Sequence, residues 1–208
     1  MAHNLALTWQ LTEIHGWGLV GVHTALCLVD RNQPPLLLEK PAFITMRPST
    51  REKLEPLMNG YNQISALSAK HGGKKLKLHD CTALHALGNG FEPGPTSNLY
   101  QGEANIGVIA FEDTGLDGAT LEKARRYDRI IVHSTYNHEL LLERGLPDVR
   151  VTFQGVDPSE MPLLPRTGLF GDRFVIFSGG KVEYRKAQDV VLAAFRIFQA
   201  RHPEALLI

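Results

Sequence analysis

Hydrophobic and polar positions alternate in a recognisable order from the start of the chain. LALTWQL, Leu5 to Leu11, alternates and then runs apolar, TEIHGWGLVG interrupts it, LVGVHTALCLVD returns apolar residues at helical spacing, and QPPLLLEK becomes extended. This order predicts strand, glycine loop, helix and strand. Between Pro41 and Asn105 the pattern weakens: REKLEPLMNGYNQISALSAK fits a helix in spite of Pro56, and KLKLHDCTALHALG fits a further strand and turn. It sharpens again at NIGVIAFEDTGL, a run of β-formers that ends on Glu112 and Asp113. LEKARRYD then predicts a helix, RIIVHS a strand, and STYNHELLLERG a helix that Ser134 can cap and Gly145 can end. VRVTFQGVD supplies the next strand and turn. Strands that are nearly continuous in apolar residues and alternate with helices imply a parallel sheet covered on both faces. The expectation for residues 1–157 is therefore an α/β, doubly wound, Rossmann-like domain.

Residues 158–172, PSEMPLLPRTGLFGD, hold three prolines and two glycines, which neither a helix nor an interior strand accepts, and they predict a linker. Beyond it Phe174 to Ser178 begins a second α/β unit. The strand, glycine turn, helix, strand order of residues 5–39 recurs over residues 174–208, so residues 173–208 are expected to be the first βαβ unit of a second Rossmann-like domain, incomplete where ALLI ends. An open strand edge there predicts self-association or instability.

Composition narrows the function classes. With 22 basic and 22 acidic residues the formal charge is zero, which argues against nucleic acid as the main partner and makes any phosphate binding local. Cys27 and Cys81 form no CxxC pair, and Cys27, inside an apolar helical pattern, is expected to pack as a small hydrophobe. No segment reaches the roughly 18–20 apolar residues of a membrane span, and MAHNLALTWQ has no basic region ahead of an apolar one. A cytoplasmic protein is expected, with contact at a membrane surface left open. The nine histidines contain neither HExxH nor a Cys/His cluster, so no metal is expected.

Two glycine-rich stretches carry candidate chemistry. GWGLVG (Gly16, Gly18, Gly21) fits GxGxxG, with Glu39 at the end of the next strand near the ~20-residue offset of a dinucleotide site. TEIH ahead of Gly16 and the bulky Trp17 depart from that fingerprint, and a tight strand-to-helix turn or, better still, a loop lining another ligand cleft fits the stretch better than a dinucleotide site. GGKVEYRKAQD (Gly179 to Asp189) gathers Lys181, Arg185 and Lys186 at a strand's carboxyl end, ahead of a helix whose first N–H groups can meet an anion. That combination suits a diphosphate; a solvated basic turn is the plain alternative. Glu112 and Asp113 leave a strand at the same kind of edge, where one could act as a base or hold sugar hydroxyls, or simply lie in a solvated loop. His15 and His133 also fall at strand ends, as ligand candidates or as locally bonded side chains. Ser134 lacks GxSxG surroundings and serves better as a helix cap.

In order and spacing, YDRIIVHSTYNHELLLERGL, VRVTFQGVD, the proline-rich linker and FVIFSGGKVEYRKAQDVVLAAFRIFQARHPEALLI resemble the middle of a GT-B glycosyltransferase of the group-1, GT4-like kind. The resemblance runs from about Ile106 to Ile208 and before that is topological. It implies two Rossmann-like domains facing across a cleft, the first receiving a glycan, lipid or small-molecule acceptor and the second a nucleotide-sugar donor, with retention of anomeric configuration and no metal. Gly180 and Lys181 match the family's glycine–basic donor loop, and Lys186 matches the lysine of its KG element. With Arg185, these cations are implied to hold the donor diphosphate and stabilise the leaving nucleotide. Ala187 stands where the family has glycine. GWGLVG corresponds to the family's cleft loop, and QGVD to the crossing into the second domain. The family's donor-sugar site, with its paired glutamates, has no counterpart before Ile208, so the chain alone is expected to be an inactive fragment. The rival expectations are an NAD-dependent oxidoreductase using GWGLVG and a non-catalytic glycan-binding module.

Overall fold

The computed structural model describes residues 4–158, 161–165 and 167–208. The chain divides into two compact units, Met1–Gly155 and Val156–Ile208.

The first unit opens with β1 (Asn4–Leu7), α1 (Gly16–Asp30), β2 (Leu36–Leu37), α2 (Pro48–Leu54) and α3 (Met58–Lys70). The next elements are β3 (Leu76–Lys77), β4 (Cys81–Leu87), α4 (Pro95–Leu99), β5 (Tyr100–Gln101) and β6 (Ala104–Ile109). It closes with α5 (Gly118–Ala124), β7 (Arg129–Val132), α6 (Thr135–Glu143) and β8 (Val149–Val151). Six strands form one parallel sheet in the order β2-β1-β4-β6-β7-β8, and β3 pairs with β5 apart from it. The unit is thus an α/β structure around a parallel sheet, as the alternation of apolar strands and helices implies.

The helix boundaries follow from local chemistry. Pro56 has no N–H to donate, so the helical region breaks there: α2 ends at Leu54, one tight turn spans Glu55–Leu57, and α3 starts at Met58. Ser134 accepts a hydrogen bond from the Asn137 N–H at 3.1 Å to cap α6, and Gly145 at φ 79° turns the chain out of it. Apolar residues cover both sheet faces. Leu87, Ile109, Val132 and Val149 pack with Leu121 of α5 and Leu141 of α6, while Leu7, Leu37 and Val108 pack with Val22 and Ala25 of α1 and Leu54 of α2. One cysteine expectation is overturned: Cys27 lies on the solvent side of α1, and Cys81 is the buried thiol. Burial, followed by the nearby Glu103, raises the Cys81 pKa.

His85 is a polar exception within β4. Its Nε2 lies 3.1 Å from Asn105 Oδ1. That oxygen also accepts the Gly102 N–H at 2.9 Å, which makes Nε2 the donor and leaves buried Nδ1 without a partner. Burial lowers the His85 pKa below 6.5; the bond to Asn105 opposes the shift and Lys75 reinforces it. Unfolding therefore takes up a proton as the pH falls below 6.5, and stability is lost from there down to the depressed folded value. His85→Phe, which keeps a ring and removes the titration, is expected to flatten the urea midpoint between about pH 7 and about pH 5. An unchanged slope in the variant would contradict this.

The second unit contains β9 (Val175–Ile176), α7 (Gln188–Gln199) and β10 (Leu206–Leu207). β9 and β10 pair in parallel, so ALLI is not an unpaired strand: it has β9 on one side, and main-chain bonds carry the ladder on to Ser178 and Ile208. Phe198 of α7 lies against Phe174 and Phe195, with ring centres 6.2 and 6.5 Å away. No helix among the described residues is long and apolar enough to cross a membrane.

Candidate functional site

In the large sheet the chain runs from β1 outward to β2, then returns to place β4 on the other side of β1. The carboxyl ends of β1 and β4 thus flank a point where the strand order reverses, the place where open parallel sheets bind ligands. Thr8, buried just past β1, bridges this point: its hydroxyl lies 2.7 Å from the Ser97 hydroxyl and accepts the Ala86 N–H at 3.3 Å. Beside Ser97, Thr96 donates to the carboxylate of Glu39, two residues beyond β2. The pairing of Thr8 with Ser97 joins residues 89 apart, and no local pattern announces it.

The structure places GWGLVG within α1 and not in the loop before it. The loop after β1 is Thr8 to His15; Gly16 begins α1, so Gly18 and Gly21 lie inside the helix. A Cβ on Gly18 would fall 2.2 Å from Thr12 Cγ2 and 2.4 Å from the Thr12 carbonyl oxygen. One on Gly21 would fall 2.6 Å from Trp9 Nε1, whereas Gly16 has nothing within 4 Å. Two of the three glycines therefore let α1 lie against its own preceding loop. That loop is tied down elsewhere too, by Thr12 to Thr45 at 2.8 Å and by the Ala42 N–H to the Leu11 carbonyl at 2.9 Å.

The other candidates in this unit separate. His15 caps α1, its Nδ1 accepting the Gly18 N–H at 3.0 Å. His133 donates from Nδ1 to the Thr152 carbonyl at 2.8 Å and meets the Trp17 ring edge-on, leaving Nε2 buried without a partner. Glu112 and Asp113 are exposed beyond β6, and the Asp113 carboxylate accepts the Gly115 N–H at 2.9 Å, an ordinary turn bond. Among the described residues no three His, Cys, Asp or Glu side chains gather closely enough to hold a metal ion.

In the second unit the basic loop lies between β9 and α7. Gly180 takes φ 120°, which favours glycine, and a Cβ on Gly179 would fall 2.3 Å from the Phe177 ring. Lys181, Arg185 and Lys186 are all exposed, and Arg185 Nε contacts Glu183 at 3.1 Å. The Gln188 side chain donates to the Lys181 carbonyl at 2.7 Å, fastening the loop to the start of α7. Ala187 precedes the helix at φ 52° and ψ 38°, in the left-handed region, and gives it no side-chain cap. The first N–H groups of α7 are thus left for solvent or an anion. Ala187→Gly is expected to raise the unfolding free energy of this unit by up to about 1 kcal/mol, and its midpoint with it, because the left-handed geometry strains a Cβ. A lower midpoint would mean that chain entropy outweighs the strain.

The chain matches no family model, no curated protein and no solved structure.

Proposed function

We propose that the chain belongs to a glycosyltransferase of GT-B architecture and GT4-like kind, with the first unit on the acceptor side and the loop of Lys181, Arg185 and Lys186 receiving the diphosphate of a nucleotide-sugar. The observation that carries this reading is Ala187: at the one position of the donor loop where alanine replaces the family's glycine, the backbone adopts the left-handed conformation that glycine serves. It does so at the uncapped start of a twelve-residue helix, directly after Arg185 and Lys186.

In the proposed reaction the bond from sugar C1 to the diphosphate oxygen breaks, its electron pair leaving with the nucleotide. The acceptor oxygen bonds to C1 on the same face, and its proton passes to the departing phosphate. Fixed positive charge lowers the barrier by stabilising the anion as it forms, a task that needs no metal. GWGLVG gives no comparable support to a dinucleotide, since Gly18 and Gly21 are occupied by Thr12 and Trp9.

Thermal unfolding in UDP-glucose, GDP-mannose, ADP-glucose and NADH tests the proposal, because a ligand that binds only the folded chain raises its melting temperature. A rise with at least one nucleotide-sugar and none with NADH is expected. A rise with NADH alone, or with none of the four, would overturn it.

A further inference from the structure

We infer that the hollow between α3, α4 and the end of β2 is a carbohydrate-binding site that takes vicinal hydroxyls. It is an open surface hollow of about 330 Å³, lined by Glu39, Tyr61, Ser65, Ser68, Thr96 and Tyr100, among others. Small-molecule sites start at roughly 300 Å³, so this one has room for a small ligand of about sugar size. Two larger hollows are weaker candidates. One of about 480 Å³ is walled by Pro34, Pro35, Pro56 and Leu57, and one of about 400 Å³ by Tyr127, Gly145 and Pro147. Both adjoin the amino ends of strands, and the acids of the second are engaged, Asp148 by Arg129 and Asp128 by the Asn105 N–H.

The Glu39 hollow lies next to the reversal of strand order, because Thr96 holds Glu39 while its neighbour Ser97 is bonded to Thr8 between β1 and β4. A carboxylate can accept about four hydrogen bonds, and Thr96 supplies one. Tyr61, Ser65 and Ser68, spaced four and three residues apart, share one face of α3, and no hydrogen bond among the described residues engages their hydroxyls. The hollow therefore combines a fixed acceptor with several groups that can donate or accept.

That set discriminates between ligand classes. Glu39 would repel an anion, and an apolar ligand would strip the carboxylate and hydroxyls of water without replacing its bonds. A sugar fits both demands: adjacent hydroxyls donate to the carboxylate, the serine and tyrosine hydroxyls fill the remaining positions, and Leu38 and Leu99 offer apolar wall for the C–H face. The site lies wholly in the first unit and does not depend on the transferase proposal; under that proposal it would hold the acceptor.

The test is titration of the full chain, with no nucleotide present, with the methyl α-glycosides of glucose, galactose and mannose, followed by amide chemical shifts. At least one glycoside should saturate at millimolar concentration, with shifts centred on Glu39, Ser65, Ser68 and Thr96. Glu39→Gln and the double change Ser65→Ala, Ser68→Ala should each weaken it, the first by about tenfold or more. The 2-deoxy form of the bound glycoside should also bind more weakly. Absence of binding by all three, shifts centred elsewhere, or equal affinity in a folded Glu39→Gln variant would each overturn the inference. Because no nucleotide is used, failure here leaves the diphosphate proposal standing, and glycan binding without any nucleotide-sugar effect would leave this site standing alone.

Discussion

Gly18→Ala is expected to destabilise the first unit by about 3 kcal/mol or more, and Gly18→Val to prevent its folding. The new Cβ would meet Thr12 at 2.2 Å on the side chain and 2.4 Å on the carbonyl oxygen, so a rotamer change alone cannot relieve the clash. Thr12 is also buried and held to Thr45 at 2.8 Å, and the Gly18 N–H is bonded to His15. Moving α1 away would open the packing of Val22 and Ala25 against Leu7 and Leu37. Gly16→Ala is the control, because nothing lies within 4 Å of its Cβ, and it should change stability by no more than about 0.5 kcal/mol. Urea unfolding followed through Trp9 and Trp17 fluorescence measures both. Equal effects at the two glycines would contradict the packing role.

Replacing Lys181 and Lys186 together by alanine is expected to weaken nucleoside diphosphate binding about a hundredfold. A charge-assisted hydrogen bond contributes about 1.5–3 kcal/mol, so two lost bonds remove about 3 kcal/mol or more. Both side chains are exposed, and the contact that fastens the loop runs from Gln188 to the main chain of Lys181, so the fold should survive. Arg185→Ala should cost less, since the guanidinium is shared with Glu183. Calorimetric titration in low salt measures the affinities, and the loss should shrink as salt rises. A change of less than about threefold in the double variant would remove the phosphate role of these lysines.

Much of the architecture was legible because each strand and helix of the large sheet carries its own local signal. The apolar run Ile106 to Ile109, the Ser134 cap and the Gly145 stop depend on residues a few positions apart, and the structure realises them as β6 and α6. GWGLVG misleads for a physical reason: glycine is required both where a backbone must approach a phosphate and where a helix must approach a loop. Only the position of Thr12 and Trp9 distinguishes the two. Cys27 misleads because nearly every residue around it in α1 is apolar, which hides the face that is buried. The Glu39 hollow was only half visible. Its acid could be picked out by offset from the glycines, but Tyr61, Ser65 and Ser68 come from a helix without a clear pattern, and Thr96 from the five-residue helix α4, 57 residues from Glu39.

The central claim is that phosphate binds at the loop before α7 and not at the start of α1. Amide chemical shifts of the full chain on addition of UDP, GDP and ADP test it most directly. The account predicts that at least one of them moves the amides from Gly179 to Asp189 and leaves those of His15 to Gly18 in place; movement confined to His15 to Gly18, or none in either stretch, would contradict it.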